Sequence, residues 1–293
     1  MIKSNIQELK EILNDKINLK IAIIDNNIMG FLVNLKSEID ITQLFDVYDL
    51  ILIPKWVEEE INDGETRVDC LNLIANEKDV YTIDEKDYSY LVNYKDFELI
   101  QLFQAAIFYM GEEKGKVKKY INQVPDIEDL DYDDFIDNLY NNILKTEIAE
   151  EGKRPKRKNA GELSITVLSY ILGYYYNGIE NVAVFTFDKD CYDFIKKAKE
   201  ILYEEKKING LINLFKDKDC NTITFKSNDL IYKDIYELDN DKGIEIIDKI
   251  RKNSRYVKYT LKKIDGSIEE NRKLLETIEF KELIKLEDMH LIF

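Results

Sequence analysis

Four stretches of this sequence place carboxylates where a strand would end or a helix would begin. Asp25 closes the apolar run Leu19-Lys20-Ile21-Ala22-Ile23-Ile24, and Asp188 and Asp190 follow Val182-Ala183-Val184-Phe185-Thr186. Glu60 lies in a helical stretch that starts after Pro54, and Glu162 directly follows Gly161 at the head of another. Should these elements converge, several like charges share one crevice, where they raise one another's pKa unless a cation joins them. Mg²⁺ or Mn²⁺ suits such a site, because hard ions take carboxylate and water oxygens. An ion of this kind activates water and stabilises charge on a phosphoryl oxygen. Each acid also has a plainer use. Glu58, Glu59 and Glu60 suit the positive first turn of a helix, and Asp25 or Asn27 suits a helix cap.

Composition narrows the field. With 293 residues and 45% apolar content the chain can bury a full core. A formal net charge of −16 disfavours a protein held on nucleic acid mainly by a broad basic face. Cys70, Cys191 and Cys220 are scattered without a CxxC pair, which argues against a disulfide framework or a thiolate zinc site and for a reducing compartment. His290 is the sole histidine, so HExxH sites and two-histidine acid/base pairs are excluded. No apolar run reaches membrane-spanning length, and the start of the chain, with Lys3, Glu8 and Glu11, has no signal-peptide character. The expectation is a soluble, cytoplasmic protein without a membrane partner.

The elements that must position the acids follow from periodicity. Residues 4–16 predict a helix, with Ser4 and Gln7 as a capping box. Residues 19–25 predict a strand covered on both faces, and Ile28 to Leu35 the next helix. Strands are expected at Leu50 to Ile53, Asp79 to Ile83 and Val182 to Thr186, with an edge strand at Thr222 to Phe225. Helical pieces are expected over residues 96–150, from Gly161 to about Asn177, from about Tyr192 to Lys206, and at Leu211 to Phe215. This alternation implies an α/β fold with a mostly parallel central sheet and helices on both faces. In such sheets ligands bind beyond the carboxyl ends of the strands. The final 226–293 segment is read as a mainly helical extension, with Ile244, Ile247 and Ile250 along one side and Leu274, Leu275 and Ile278 along another.

With 58 acidic residues, spacing alone does not select a site. The motifs do more. Asp25-Asn26-Asn27 after its strand resembles the opening DxN motif of the PIN domain family, and Pro54-Lys55-Trp56-Val57-Glu58-Glu59-Glu60 resembles its Pro-x-x-Val-x-x-Glu element. Gly161-Glu162 entering a helix is similar to the third element, and Thr186-Phe187-Asp188 with nearby Asp190 to the fourth. The resemblance spans about residues 19–225 and implies a three-layer α/β/α nuclease domain over residues 1–225. It implies a carboxylate cluster of Asp25, Glu60, Glu162 and Asp188, with Asp190 as a fifth member, binding Mg²⁺ or Mn²⁺ and hydrolysing RNA. Asn27 and Thr186 would orient the carboxylates. Family members include toxins of toxin–antitoxin pairs, so an antitoxin or a second copy of the chain is a possible partner.

Two departures from the compact family pattern stand out: a long helical insertion at about residues 85–158, and the 226–293 extension. The insertion ends in a basic stretch, Lys153, Arg154, Lys156, Arg157 and Lys158, which serves either as a contact for RNA phosphates or as a charged hinge. Tyr174, Tyr175 and Tyr176 are expected mainly to pack, Cys191 to be a small buried hydrophobe, and the acids from Asp126 to Asp137 to be a solvated linker or helix start. The competing functions are a flap-type DNA nuclease and a catalytically inactive PIN-like interaction module.

Overall fold

A computed structural model describes residues 1–108, 110–124, 126, 129–145, 157–203, 220, 222–263 and 266–293. The expected helix at Leu211 to Phe215 and the basic residues Lys153, Arg154 and Lys156 lie outside them. Among the described residues the helices are α1 (Ile6–Asp15), α2 (Asn26–Leu35), α3 (Lys55–Ile61), α4 (Glu65–Glu77), α5 (Tyr88–Leu91), α6 (Asp96–Ile107), α7 (Gly111–Ile121), α8 (Tyr132–Asn138), α9 (Ala160–Tyr175), α10 (Lys189–Tyr203), α11 (Asn228–Leu238), α12 (Asn240–Ile250) and α13 (Thr277–Ile284). The strands are β1 (Leu19–Ile24), β2 (Leu50–Pro54), β3 (Val80–Ile83), β4 (Ile179–Phe185), β5 (Thr222–Lys226), β6 (Arg255–Lys262), β7 (Ile268–Leu275) and β8 (Met289–Ile292).

The first five strands pair in parallel in the order β3-β2-β1-β4-β5, with helices on both faces. The near-continuous apolar runs of β1 and β2 fit this, since both are covered on each side. β5 stands at an edge and is only partly buried. The chain winds outward from β1 in one direction through β2 and β3, then in the other through β4 and β5. The order therefore reverses between β1 and β4, and the crevice beyond their carboxyl ends is where an open parallel sheet binds its ligand.

The helical insertion is part of the core. In α6, Leu99, Ile100, Leu102 and Phe103 are buried, and Phe103 contacts the rings of Trp56, Tyr88, Tyr132 and Phe135. Asp131 caps α8, its Oδ1 accepting from the Asp134 amide at 2.9 Å. At the amino end the expected capping box gives way to Asn5, whose Oδ1 accepts from the Gln7 and Glu8 amides.

The C-terminal extension departs from the helical expectation. It carries helices α11, α12 and α13 together with a three-stranded antiparallel sheet of order β7-β6-β8. The physical reason is a period of two: Val257 and Tyr259 are buried while Tyr256 is exposed and Lys258 half-buried. Leu274, Leu275 and Ile278 form no helical stripe, because the first two end β7 on opposite faces and Ile278 is exposed on α13. Asp229, in the first turn of α11, lies 3.6 Å from Arg251 and 2.8 Å from Arg255. Arg251 Nη2 also donates to the Leu275 carbonyl at 3.1 Å, tying the end of β7 to the end of α12. No helix among the described residues is long and apolar enough to cross a membrane.

Candidate functional site

Strand register places the first two acid-bearing segments side by side. Ile24 is level with Phe185, and the Asp25 amide donates to the Phe185 carbonyl at 3.0 Å. Asp25 is thereby set against Thr186 at the reversal point. Thr186 is fully buried and is the hub of a small network. Its hydroxyl donates to Asp25 Oδ2 at 2.7 Å and accepts from the Asp188 amide at 3.0 Å and from Asn27 Nδ2 at 3.1 Å. Asn27 Oδ1 accepts from the Phe187 amide at 3.2 Å, and Asp188 Oδ1 from the Asp190 amide at 2.8 Å. A hydroxyl has one proton and two lone pairs, so Thr186 is saturated and its orientation is fixed. Asp25 occupies the position before α2 without a side-chain capping bond to that helix, so the plainer capping role goes unfilled.

The other two acids arrive on helices. β2 ends level with β3 at Pro54, and α3 then carries three glutamates in a row. Glu58 pairs with Lys55 at 2.5 Å and accepts from Thr82 Oγ1 at 3.1 Å, while Glu59 accepts from the Tyr140 hydroxyl. Glu60 turns the other way, toward Gly161 at the start of α9. A Cβ at residue 161 would stand 3.3 Å from Glu60 Oε1 and 3.2 Å from Val57 Cγ2. Glycine here lets the two helices close on each other and brings Glu60 beside the turn that holds Glu162.

Burial and mutual repulsion dominate the electrostatics. Burial pushes the Asp25 carboxyl up to about 7, the charges of Glu60 and Asp188 add to this, and the Thr186 hydrogen bond opposes it. Glu162 is likewise pushed up to about 7, by burial, then by Asp25, Asp188 and Asp190. Cys191 is buried next to them, and burial with the charges of Asp25, Glu162 and Asp188 raises its thiol well above the ordinary range. That environment makes it a packing residue and no thiolate nucleophile. Among the described residues, Asp25, Glu162, Asp188 and Asp190 have no ion-pair partner.

The donor set is all carboxylate with a fixed hydroxyl behind it, which is the chemistry a hard divalent ion requires. Among the described residues, however, no group of three or more His, Cys, Asp or Glu side chains stands in an arrangement that could hold a metal ion. The acids are gathered within electrostatic reach but not into a finished ligand shell. The long side chains of Glu60 and Glu162 and the loop at Asp188 are the parts that would have to turn inward to close one.

The other candidates have partners of their own or lie at the surface. Arg157 lies over the Tyr140 ring at 3.6 Å and donates to the Tyr140 carbonyl at 3.0 Å, and Lys158 pairs with Glu113 at 3.6 Å. Both are engaged with the helical insertion, as a hinge would be. Tyr174 and Tyr176 are buried, Tyr176 donating to the Leu91 carbonyl at 2.7 Å, and the Tyr175 hydroxyl bonds Glu98. His290 is exposed on β8.

Glu85 was not legible as a site-supporting residue. It is fully buried after β3, where Oε1 accepts from the Trp56 amide at 3.1 Å and from Ser164 Oγ at 2.6 Å. Trp56 is on α3 with Glu60, and Ser164 is on α9 with Glu162. Glu85 therefore clasps the two helices that deliver the two glutamates. The available signal was an acid two residues after the third parallel strand, as Asp25 and Asp188 follow within three residues of theirs. No family model matches the chain, and comparisons with curated proteins and with solved structures found no match.

Proposed function

We propose that the crevice between β1 and β4 is the active site of a PIN-like, Mg²⁺- or Mn²⁺-dependent endoribonuclease. The observation that carries this reading is the gathering of carboxylates from four separate elements, within electrostatic reach of one another, at the reversal point of a parallel sheet. Asp25, Glu162 and Asp188 would hold the principal ion, with Glu60 and Asp190 completing the pocket. The ion supplies an activated water and neutralises charge on the phosphoryl group under attack. Thr186 keeps Asp25 Oδ2 fixed, and Oδ1 would be the oxygen offered to the ion. Asn27 holds the Thr186–Asp188 turn in place through its bond to the Phe187 amide. Burial excludes bulk water around Asp25, which strengthens the field its carboxylate exerts on a bound cation.

The test is incubation of the full chain with end-labelled single-stranded RNA, single-stranded DNA and duplex DNA, with and without Mn²⁺. Metal-dependent internal cleavage of the RNA is the expected outcome. Preference for branched or duplex DNA would instead assign a flap-type nuclease. No cleavage of any substrate would leave an interaction module.

A further inference from the structure

The chain is acidic overall, with 58 acidic against 42 basic residues, yet one face of the C-terminal sheet is cationic and aromatic. On β6 the residues out of phase with buried Val257 and Tyr259 are Tyr256, Lys258, Thr260 and Lys262. In register, Lys258 faces Arg272 across the β6–β7 pair, and the Arg272 guanidinium lies over the Tyr256 ring at 4.8 Å. Tyr256 is 62% exposed, far above what packing requires of a tyrosine. Among the described residues Lys258, Lys262 and Arg272 have no ion-pair partner, whereas adjacent Lys263 is neutralised by Glu269 at 3.1 Å. Glu270 is the acid in phase with Arg272.

This face runs toward the acid crevice. Lys258 Nζ stands 5.9 Å from the centre of the Tyr192 ring. Tyr192 stacks on Phe293 at 5.2 Å and meets Phe225 edge-on at 4.9 Å. It also lies in the first turn of α10, directly after Asp190 and Cys191. Cations and half-exposed rings thus continue from β7 across β6 to the rim of the crevice. Lys258 and Lys262, four residues apart on one strand, are separated by about 13 Å. Unpaired cations beside a largely exposed ring, Tyr256, match a backbone of phosphates with unstacked bases, and duplexes hide those base faces.

We propose that the outer face of β6 and β7 is the platform that binds single-stranded RNA and leads it past Tyr192 to the carboxylates. The direction of travel rests on the nuclease reading, but the binding chemistry does not. Anisotropy of a fluorescent single-stranded RNA, measured in EDTA with the full chain, separates binding from cleavage. The variant Lys258→Glu/Lys262→Glu/Arg272→Glu is expected to bind at least tenfold more weakly. It should also lower the slope of log affinity against log salt by about 2, as loss of three phosphate contacts requires. Tyr256→Ala is expected to cost about fivefold or more with the salt slope unchanged. The same charge change on α7, Lys116→Glu/Lys118→Glu/Lys119→Glu, should have little effect, and circular dichroism confirms folding of each variant. Equal weakening by the α7 variant, equal affinity for a duplex of the same length, or no effect of the β6–β7 variant would overturn the proposal, as would failure of the wild type to bind. Binding lost on reversing the platform charges, in a protein that cleaves nothing, would retain the platform and reject the nuclease.

Discussion

Asp25→Asn is expected to abolish metal-stimulated RNA cleavage while making the metal-free protein more stable. Few substitutions at a structural residue do both. Asparagine keeps the shape of aspartate and still accepts the 2.7 Å bond from Thr186 through its carbonyl oxygen, so the local fold is retained. What disappears is the one fully buried charge in the cluster, and with it about a thousandfold or more in rate. The stability change follows from protonation. The Asp25 carboxyl ionises near 3.8 in the unfolded chain and near 7 in the fold. Between those values the folded chain holds the extra proton, so stability is greatest below the window and falls as pH rises through it. Above pH 7 the cost of a buried, ionised Asp25 is complete, on the order of 2–4 kcal/mol. The asparagine variant escapes that cost. In EDTA at pH 8 it should melt roughly 5 °C or more above wild type, and near pH 4 the two should converge. Added Mn²⁺ should raise the wild-type melting temperature much more than the variant's. A lower melting temperature for the variant at pH 8 in EDTA would mean that Asp25 is a structural residue whose charge the fold uses.

At Glu85 the expected result is a division between two substitutions. Glu85→Ala should destabilise by about 3–5 kcal/mol, because it opens a cavity and leaves the Trp56 amide and the Ser164 hydroxyl unpaired in the core. Glu85→Gln retains an oxygen for both donors and removes the ionisable group. Burial pushes the Glu85 carboxyl up from 4.5 to about 8, so the wild type is protonated at neutral pH and already resembles glutamine. Its stability contribution is lost as pH rises from about 5 toward 9, and the glutamine variant should lack that part of the decline. Denaturant melts from pH 5 to 9 check both statements. Equal pH slopes in wild type and Glu85→Gln would show that Glu85 stays ionised in the fold. Because Glu85 joins the helices bearing Glu60 and Glu162, the alanine variant should also cleave RNA more slowly, with glutamine largely restoring the rate.

The parallel sheet was legible because β1, β2 and β4 carry the apolar runs Ile21–Ile24, Leu50–Ile53 and Val182–Phe185, each followed by a polar or turn-forming residue. Selection of Glu60 over Glu58 and Glu59 came from the motif spacing, and the structure gives those two other partners, Lys55 with Thr82 and Tyr140 respectively. The β6–β8 sheet was missed because β7, Ile268–Leu275, is largely exposed and rich in charge, so its alternation carries little apolar signal. Its pairing partner supplies the order that its own sequence does not. Glu85 was hidden for a different reason: one acid of 58, flanked by Asp84 and Asp87, shows its burial only when α3 and α9 are brought together over it. The contact between Lys258 and Tyr192 is likewise tertiary and has no local signature.

The central claim is that four converging elements build a divalent-cation site, and the most direct measurement is anomalous diffraction from crystals soaked in Mn²⁺. The expected result is a peak in the crevice about 2 Å from carboxylate oxygens of Asp25 and of at least one of Glu162 and Asp188. Glu60, Glu162 or the Asp188 loop should have turned toward it, and Asp25→Asn crystals should show no peak there. Ordered crystals soaked at millimolar Mn²⁺ with an empty crevice, and with the acids as far apart as before, would contradict the assignment.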